Sequence, residues 1–430
     1  MDKFLIRGGA RLKGTVRVSG AKNSALPLMA CSLLSDGQSV LKGVPQLADI
    51  HTMGRLLENM GARVTRSGGA VTVDTSGVRN FEAPYDLVKT MRASVLVLGP
   101  LVARFGKAKV SLPGGCAIGA RPIDQHLKVL EALGATLRVE HGYVYAEAGR
   151  LKGCRFTFDI QTVTGTENAL MAAACAEGTT VLANCAQEPE VVELAEVLAS
   201  MGAGIEGAGT ERIVVTGTKS LKPFARTVMP DRIETGTLLI AAAITGGDVM
   251  LENAIAAHSS AVVAKLAATG VQVENGESTI RVRAPDGPRS LRAADVETQP
   301  YPGFATDMQA QYMALMTVAS GTSVISENVF ENRFMHVQEL VRMGADIRIK
   351  GNVAIVQGVP RLTSAPVMAT DLRASAGLVL AALVADGESV VDRIYHLDRG
   401  YEGLEKKLAT LGAMIERFAG RWPGKAPGDA

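Results

Sequence analysis

The sequence predicts an α/β protein folded into a few compact domains. Three observations carry that expectation: a motif that recurs six times, a second motif that keeps step with it, and an alternation of helical and strand patterns along the chain. The copies of the first motif are LPLMACSLLSDGQSVL, VLVLGPLVARFGKAKV, ALMAAACAEGTTVL, TLLIAAAITGGDVML, MALMTVASGTSVI and GLVLAALVADGESVV. Their glycines are Gly37, Gly106, Gly178, Gly247, Gly321 and Gly387, spaced by 69, 72, 69, 74 and 66 residues. The second motif reads LLENMGARV, VLEALGATL, VLASMGAGI, KLAATGVQV, LVRMGADI and KLATLGAMI. Its glycines, Gly61, Gly134, Gly202, Gly270, Gly344 and Gly412, are spaced by 73, 68, 68, 74 and 68 residues.

Each repeat opens on a helix of small apolar residues with almost no polar face, and a helix that is apolar all round is buried. A short β-branched strand follows. Next comes an amphipathic helix, whose polar stripe requires it to cover a surface. Two further strands close the unit as a hairpin, as in ARVTRSGGAVTVD and ADIRIKGNVAIVQG. The glycine after each helix suits a left-handed C-terminal cap. A period of roughly seventy residues exceeds that of ordinary solenoids, which favours compact domains over an open array.

Composition narrows the function. The 430 residues are 47% hydrophobic and 20% charged, which excludes a disordered chain. Forty-five basic residues face 43 acidic ones, for a net charge of +2, so no general polyanion-binding surface is expected. Aromatic residues make up only 4%, too few for a base-stacking nucleic-acid platform. The apolar stretch Ala93–Ala103, bracketed by Arg92 and Arg104, is too short to span a membrane. The N-terminus has no signal-peptide pattern. The five cysteines are odd in number and form no C-x-x-C pair, as expected of reduced thiols in the cytoplasm.

The ionic residues fall at two kinds of place. Some precede the apolar helices: Lys22-Asn23, Arg92, Thr306-Asp307 and Asp371-Leu372-Arg373. Others follow strands: Pro113 to Arg121, Glu331-Asn332-Arg333 and Asp398-Arg399-Gly400. Buried helices aim N–H groups and partial positive charge past their N-termini. Lys22, Arg92, Arg121, Arg333, Arg373 and Arg399 would add full charges there. That grouping in a nearly neutral chain fits a small, multiply anionic substrate such as a phosphate ester. Taken one at a time, each arginine reads first as a solvated side chain, and Asp307 reads equally as a helix N-cap.

Cys116 lies in the glycine-rich run Gly114-Gly-Cys-Ala-Ile-Gly-Ala-Arg121. Either it is a small hydrophobe, or nearby cations lower its thiol pKa and make it a nucleophile or acid. The other four cysteines sit in apolar runs and read as inert. Gly202 to Gly207 matches G-x-G-x-x-G but follows a helix and enters a strand, the reverse of the dinucleotide context. The six histidines show no metal-ligand spacing, so no metal site is expected.

The motifs GAKNSALP, PGGCAIGARPID, TGTENALMAA, ATDMQAQ, FENRFMH, ATDLRASA and DRGYE, spread from about Phe4 to Phe418, closely resemble the enolpyruvyl transferase family. Within it they resemble the branch whose acceptor is UDP-N-acetylglucosamine, which opens bacterial peptidoglycan synthesis. The resemblance implies two inside-out α/β barrel domains, each of three βαβαββ units, with the active site in the cleft between them. One domain would span residues 22–230 and carry the Cys116 lid. The other would join 1–21 to 231–430 and carry the general base.

The implied reaction moves the enolpyruvyl group of phosphoenolpyruvate to the sugar 3′-hydroxyl by addition and elimination through a tetrahedral ketal, releasing phosphate without metal or organic cofactor. The implied partners are these two small molecules only, with no nucleic acid and no membrane insertion. By resemblance, Cys116 donates a proton to the methylene carbon, forms a covalent adduct with the substrate, and is alkylated by the epoxide phosphonate fosfomycin. Asp307 takes the hydroxyl proton. Lys22, Asn23, Arg92, Arg121 and Arg399 contact phosphoenolpyruvate. Arg92, Arg121, Pro122, Ile123, Asp124 and Gln125, with Val163, Thr164 and Gly165 and then Asp307, Val329 and Phe330, contact the nucleotide sugar. Arg333, Asp371 and Arg373 form a supporting charged network. One departure stands out: Gln161-Thr-Val-Thr-Gly replaces the Lys-x-Ser-Val-Gly of many members, removing a cation near the diphosphate. Two other readings share the scaffold: the sister enzyme acting on shikimate 3-phosphate, which lacks the cysteine lid, and a non-catalytic nucleotide-sugar sensor.

Overall fold

The computed structural model describes residues 2–112, 123–284 and 287–420; Cys116, Arg121 and Pro122 lie outside the described residues. The chain divides into two compact units. One, here the Lys22 unit, comprises Ser19–Asp231 with Pro300–Pro302. The other, the Asp307 unit, comprises Met1–Val18, Arg232–Gln299 and Gly303–Ala430. Each contains three four-stranded sheets of one design.

The third repeat shows that design without interruption. Strand Arg155–Thr157 leads through a helix to Thr179–Ala183, which lies parallel to it. A parallel pair cannot be joined by a tight turn, so the apolar helix is the required crossover. After a second helix, the hairpin Gly204–Glu206 and Arg212–Thr216 adds two antiparallel strands, with Val181 opposite Val214. The unit is therefore βαβαββ.

Three other sheets also take their parallel strand locally, Glu82–Ala83, Val296–Glu297 and Pro366–Met368, and the remaining two take it from a distant part of the chain. Ala225–Thr227 pairs with Gln38–Lys42 and completes the first sheet. The N-terminus supplies two strands to the Asp307 unit. Lys13–Arg17 runs parallel to Asp248–Glu252, and Asp2–Arg7 inserts between Glu388–Asp392 and Met414–Ala419.

The helices in chain order are α1 (Lys22–Cys31), α2 (Ala48–Asn59), the single turn α3 (Tyr85–Val88), α4 (Leu98–Phe105), α5 (Asp124–Ala132), α6 (Val163–Ala173), α7 (Pro189–Met201), α8 (Arg232–Ile244), α9 (Ser260–Thr269), α10 (Gln309–Met316), α11 (Val337–Arg342), α12 (Ala374–Ala382) and α13 (Leu404–Thr410). The apolar series α1, α4 and α6 packs together at the centre of the Lys22 unit, and α8, α10 and α12 at the centre of the Asp307 unit. Every residue of α10 and α12 is buried, as expected of helices without a polar face. The amphipathic α2 buries Ile50, Met53, Leu56 and Leu57 on one stripe. Strands alternate between a buried and a more exposed face, as in Ala70–Asp74, where Val71 and Val73 point inward.

Helices thus lie inside and sheets outside in each unit. The six sheets stay separate, and no continuous hydrogen-bonded barrel closes among the described residues. No described helix is long and apolar enough to cross a membrane.

The central helices cross closely. A Cβ at Gly377 would lie 2.7 Å from the Ala310 carbonyl oxygen, so only glycine lets α12 approach α10 to this depth. The repeat glycines take positive φ with one exception. At Gly247 the turn is shifted by one residue, and Gly246 adopts the left-handed conformation instead, with φ of 66°.

Candidate active site

In the Asp307 unit, Thr306–Met308 forms one turn of 3-10 helix ahead of α10. Asp307 does not act as a helix cap there. Its Oδ1 accepts from Arg333 Nη2 at 2.7 Å, and its Oδ2 from Arg373 Nε at 3.1 Å. The arginine side chains are 6% and 3% exposed and the aspartate 27%. Buried guanidinium groups require such partners, since leaving one unpaired is strongly unfavourable. Arg333 Nη1 also donates to Thr306 Oγ1 at 2.9 Å.

Glu327 anchors this arrangement. It is 3% exposed and accepts from Thr298 Oγ1 at 2.9 Å, from Thr306 Oγ1 at 2.9 and 3.0 Å, and from the N–H groups of Val329 and Phe330 at 3.0 and 3.1 Å. One buried carboxylate therefore fixes the Val329–Phe330 loop and, through Thr306, the angle of Arg333.

A second network holds the head of α10. Gln311 Nε2 donates to the Asp307 carbonyl at 3.0 Å, and lies 3.1 Å from both Thr237 Oγ1 and Tyr401 Oη, which are 2.9 Å apart. The Arg373 guanidinium rests over the Tyr401 ring at 5.2 Å. Asp371 caps α12: its Oδ1 accepts from the N–H groups of Arg373 and Ala374 at 2.8 and 2.9 Å. Arg399 ends the turn Ile394–Arg399 and is half-buried. His396 is held below its usual pKa, first by burial and then by the charge of Arg399.

In the Lys22 unit the predicted residues stand at the starts of the central helices. Lys22 opens α1 and pairs with Asp49 at 3.1 Å, with both side chains 7% exposed. Pro27 has no N–H to return to the Asn23 carbonyl four residues earlier. Arg92 opens the 3-10 turn Arg92–Val97 that leads into α4. Asp124 opens α5, and its buried Oδ1 accepts no hydrogen bond among the described residues. Gln125 is locked by Asp159, donating at 2.8 Å and accepting from its N–H at 3.0 Å. Val163, Thr164 and Gly165 form the first turn of α6, and Gln161 Nε2 donates to the Cys185 carbonyl at 3.4 Å. Deeper in α6, burial and then Glu190 and Glu188 push the Glu167 carboxyl well above its usual range. Burial pushes the Cys31 and Cys154 thiols up, Cys175 up to about 11 and Cys185 up to about 12, so these four thiols are poor nucleophiles.

The comparisons with known proteins bear on this geometry. A profile of the EPSP synthase family (3-phosphoshikimate 1-carboxyvinyltransferase) matches residues 6–408. The chain belongs to this enolpyruvyl transferase family. A relative from Geobacter metallireducens, named UDP-N-acetylglucosamine 1-carboxyvinyltransferase, is 59% identical over 417 residues, covering 97% of this chain and 99% of the relative. The crystal structure of the enolpyruvyl transferase NikO from Streptomyces tendae superposes with a TM-score of 0.86 at 29% identity, covering 97% and 98% of the two chains. EPSP synthase from Acinetobacter baumannii shares the fold, with a TM-score of 0.74 at 20% identity over 97% of this chain and all of the other. The fold is therefore that of the enolpyruvyl transferases.

Among the predicted residues of this family member, the structure joins Asp307, Arg333 and Arg373 directly and ties Val329 and Phe330 to them through Glu327 and Thr306. Sequence reasoning missed Asp49, His126, Asn168, Thr306, Gln311, Glu327 and Tyr401. Thr306, Gln311 and Tyr401 lie inside motifs already singled out, and their polar side chains on apolar or glycine-rich segments were the available signal.

Proposed function

We propose that this enolpyruvyl transferase moves the enolpyruvyl group of phosphoenolpyruvate to the 3′-hydroxyl of UDP-N-acetylglucosamine and releases phosphate. The observation that carries this reading is the relationship to the Geobacter protein, 59% identical over nearly the whole of both chains. In this reading Asp307 accepts the hydroxyl proton as the oxygen attacks the enol ether carbon, and Cys116 protonates the methylene carbon. The ketal so formed keeps its carboxylate and phosphate, and Lys22, Asn23, Arg92, Arg121 and Arg399 stabilise those charges without reorganising. In the elimination the Cys116 thiolate takes a proton back from the new methyl group, the carbon–oxygen bond to phosphate breaks, and phosphate leaves with the proton that Asp307 took up. Pro122, Ile123, Asp124 and Gln125, with Val163 to Gly165, hold the nucleotide; Val329 and Phe330 flank the amino sugar; Arg333, Asp371 and Arg373 support the base. The base belongs to a domain of residues 1–21 and 231–430, the thiol to one of 22–230, and the reaction takes place in the cytoplasm.

The pairing of Asp307 with Arg333 and Arg373 supports the basic role, because it orients a partly exposed carboxylate on a rigid base. The decisive assay is phosphate release with phosphoenolpyruvate and each acceptor in turn. Release is expected with UDP-N-acetylglucosamine and not with shikimate 3-phosphate. Release with shikimate 3-phosphate alone would assign the sister reaction, and binding without release from either would leave the sensor.

A further inference from the structure

One buried relay in the Lys22 unit has a direction that can be read atom by atom. The backbone N–H of Gly99 donates to Asn168 Oδ1 at 2.7 Å. A backbone N–H can only donate, so the amide orientation of Asn168 is fixed. Its Nδ2 then faces the Val95 carbonyl at 3.3 Å and His126 Nδ1 at 2.9 Å. Nδ1 must therefore accept, and the ring proton must sit on Nε2. Nε2 lies 3.2 Å from Thr164 Oγ1 and donates to it. Asn168 is 0% exposed and His126 2%, so water does not compete for these bonds. With one lone pair taken by the histidine, the hydroxyl proton of Thr164 points elsewhere. Thr164 is half-buried, and its hydroxyl has no other hydrogen-bond partner among the described residues.

We infer that Asn168 and His126 are positioning residues that hold the Thr164 hydroxyl as a hydrogen-bond donor aimed at an acceptor-only oxygen of the bound nucleotide, one of its diphosphate oxygens. This rests on the transfer to a nucleotide sugar proposed above and adds how the protein grips the diphosphate where Gln161 brings no charge. The relay requires a neutral ring, because a second ring proton would set Nδ1–H against the Asn168 amide. Burial, and then the charge of Arg92, push His126 down to about 3, against a smaller opposing pull from Asp124.

The test has two arms. In the full-length protein, nitrogen-15 NMR of the imidazole rings, with His126 assigned by its loss in His126→Gln, should show a neutral ring protonated on Nε2 from pH 8 to 5. A proton on Nδ1, or a charged ring at pH 7, overturns the relay whatever the enzyme's substrate. In steady-state kinetics, Thr164→Val should raise KM for UDP-N-acetylglucosamine about tenfold while kcat falls less than threefold, the loss expected for one hydrogen bond to a charged oxygen. Thr164→Ser should restore KM to near the parent value. An unchanged KM in Thr164→Val overturns the positioning role, whereas a parent enzyme inactive on this acceptor overturns the proposed function and leaves the NMR result standing.

Discussion

At the scale of single residues, the most consequential feature is a carboxylate between two buried guanidinium groups. Asp307→Asn keeps the shape but offers only one oxygen where Arg333 and Arg373 each bond one. The amide cannot take up a proton from an attacking hydroxyl. Loss of a general base typically costs about 10²–10⁴-fold in rate. We expect kcat for phosphate release to fall by about that factor, with thermal unfolding still cooperative; a kcat within threefold of the parent would remove Asp307 from proton transfer. That Asp307 stands ahead of an apolar helix was readable from sequence, although an N-cap would read the same way there. His126 was not readable. A neutral buried histidine carries no charge pattern, and its partners, Asn168 and Thr164, come from another helix.

At the scale of elements, helix spacing and packing depth decide which residues can stand on the central helices. The sequence showed that these helices are apolar and buried, and the hairpins were evident from their turn residues. It did not show which strand completes three of the sheets, because Ala225–Thr227, Lys13–Arg17 and Asp2–Arg7 pair with strands far away in the chain. Nor did it show that Gly377 is a packing residue. Intrinsic helix propensity favours Ala over Gly by about 1 kcal/mol. Packing opposes it, since the new Cβ would come within 2.7 Å of the Ala310 carbonyl. That neighbour is backbone in a helix buried along its whole length and cannot swing aside. Overpacking typically costs about 1–3 kcal/mol. Gly377→Ala should therefore lower the urea midpoint of unfolding; a raised midpoint would mean that α10 and α12 can separate without loss.

At the scale of the whole molecule, the repeats make a controlled comparison between the two units. Gly134 and Gly344 mark equivalent positions 210 residues apart, and His126 and His336 are also 210 apart. Both histidines are buried, at 2% and 0% exposure. Their surroundings have diverged. Counting the 209 residues that separate Gly178 from Gly387, Gly377 takes the place of Asn168, and Arg373 that of Thr164. The residues that hold His126 are thus replaced by one that lets helices meet and one that binds Asp307. His336 accordingly has no hydrogen-bond partner on either ring nitrogen among the described residues. Removing an unsatisfied buried polar group is close to neutral or stabilising, whereas removing one partner of a satisfied network costs about 1–3 kcal/mol. The same change should then give different results at equivalent places. At pH 7, His126→Leu should lose about 2 kcal/mol, because the buried Asn168 amide loses one of its three partners and the Thr164 hydroxyl loses its ring partner, and His336→Leu should lose nothing or gain.

Acid tests the burial of His336 separately. Burial and then Arg333 push His336 down to about 4, with Asp371 opposing. The unfolded chain takes up this proton near pH 6.5, so the folded state is favoured fully above that value. As the pH falls from 6.5 toward 4, stability declines by up to about 1.4 kcal/mol per unit. His336→Leu should flatten that decline in urea titrations between pH 6.5 and 4.5. Equal losses for the two variants at pH 7 would show that the two histidines still share one role, and an unchanged acid slope in His336→Leu would show that folding does not hold His336 neutral.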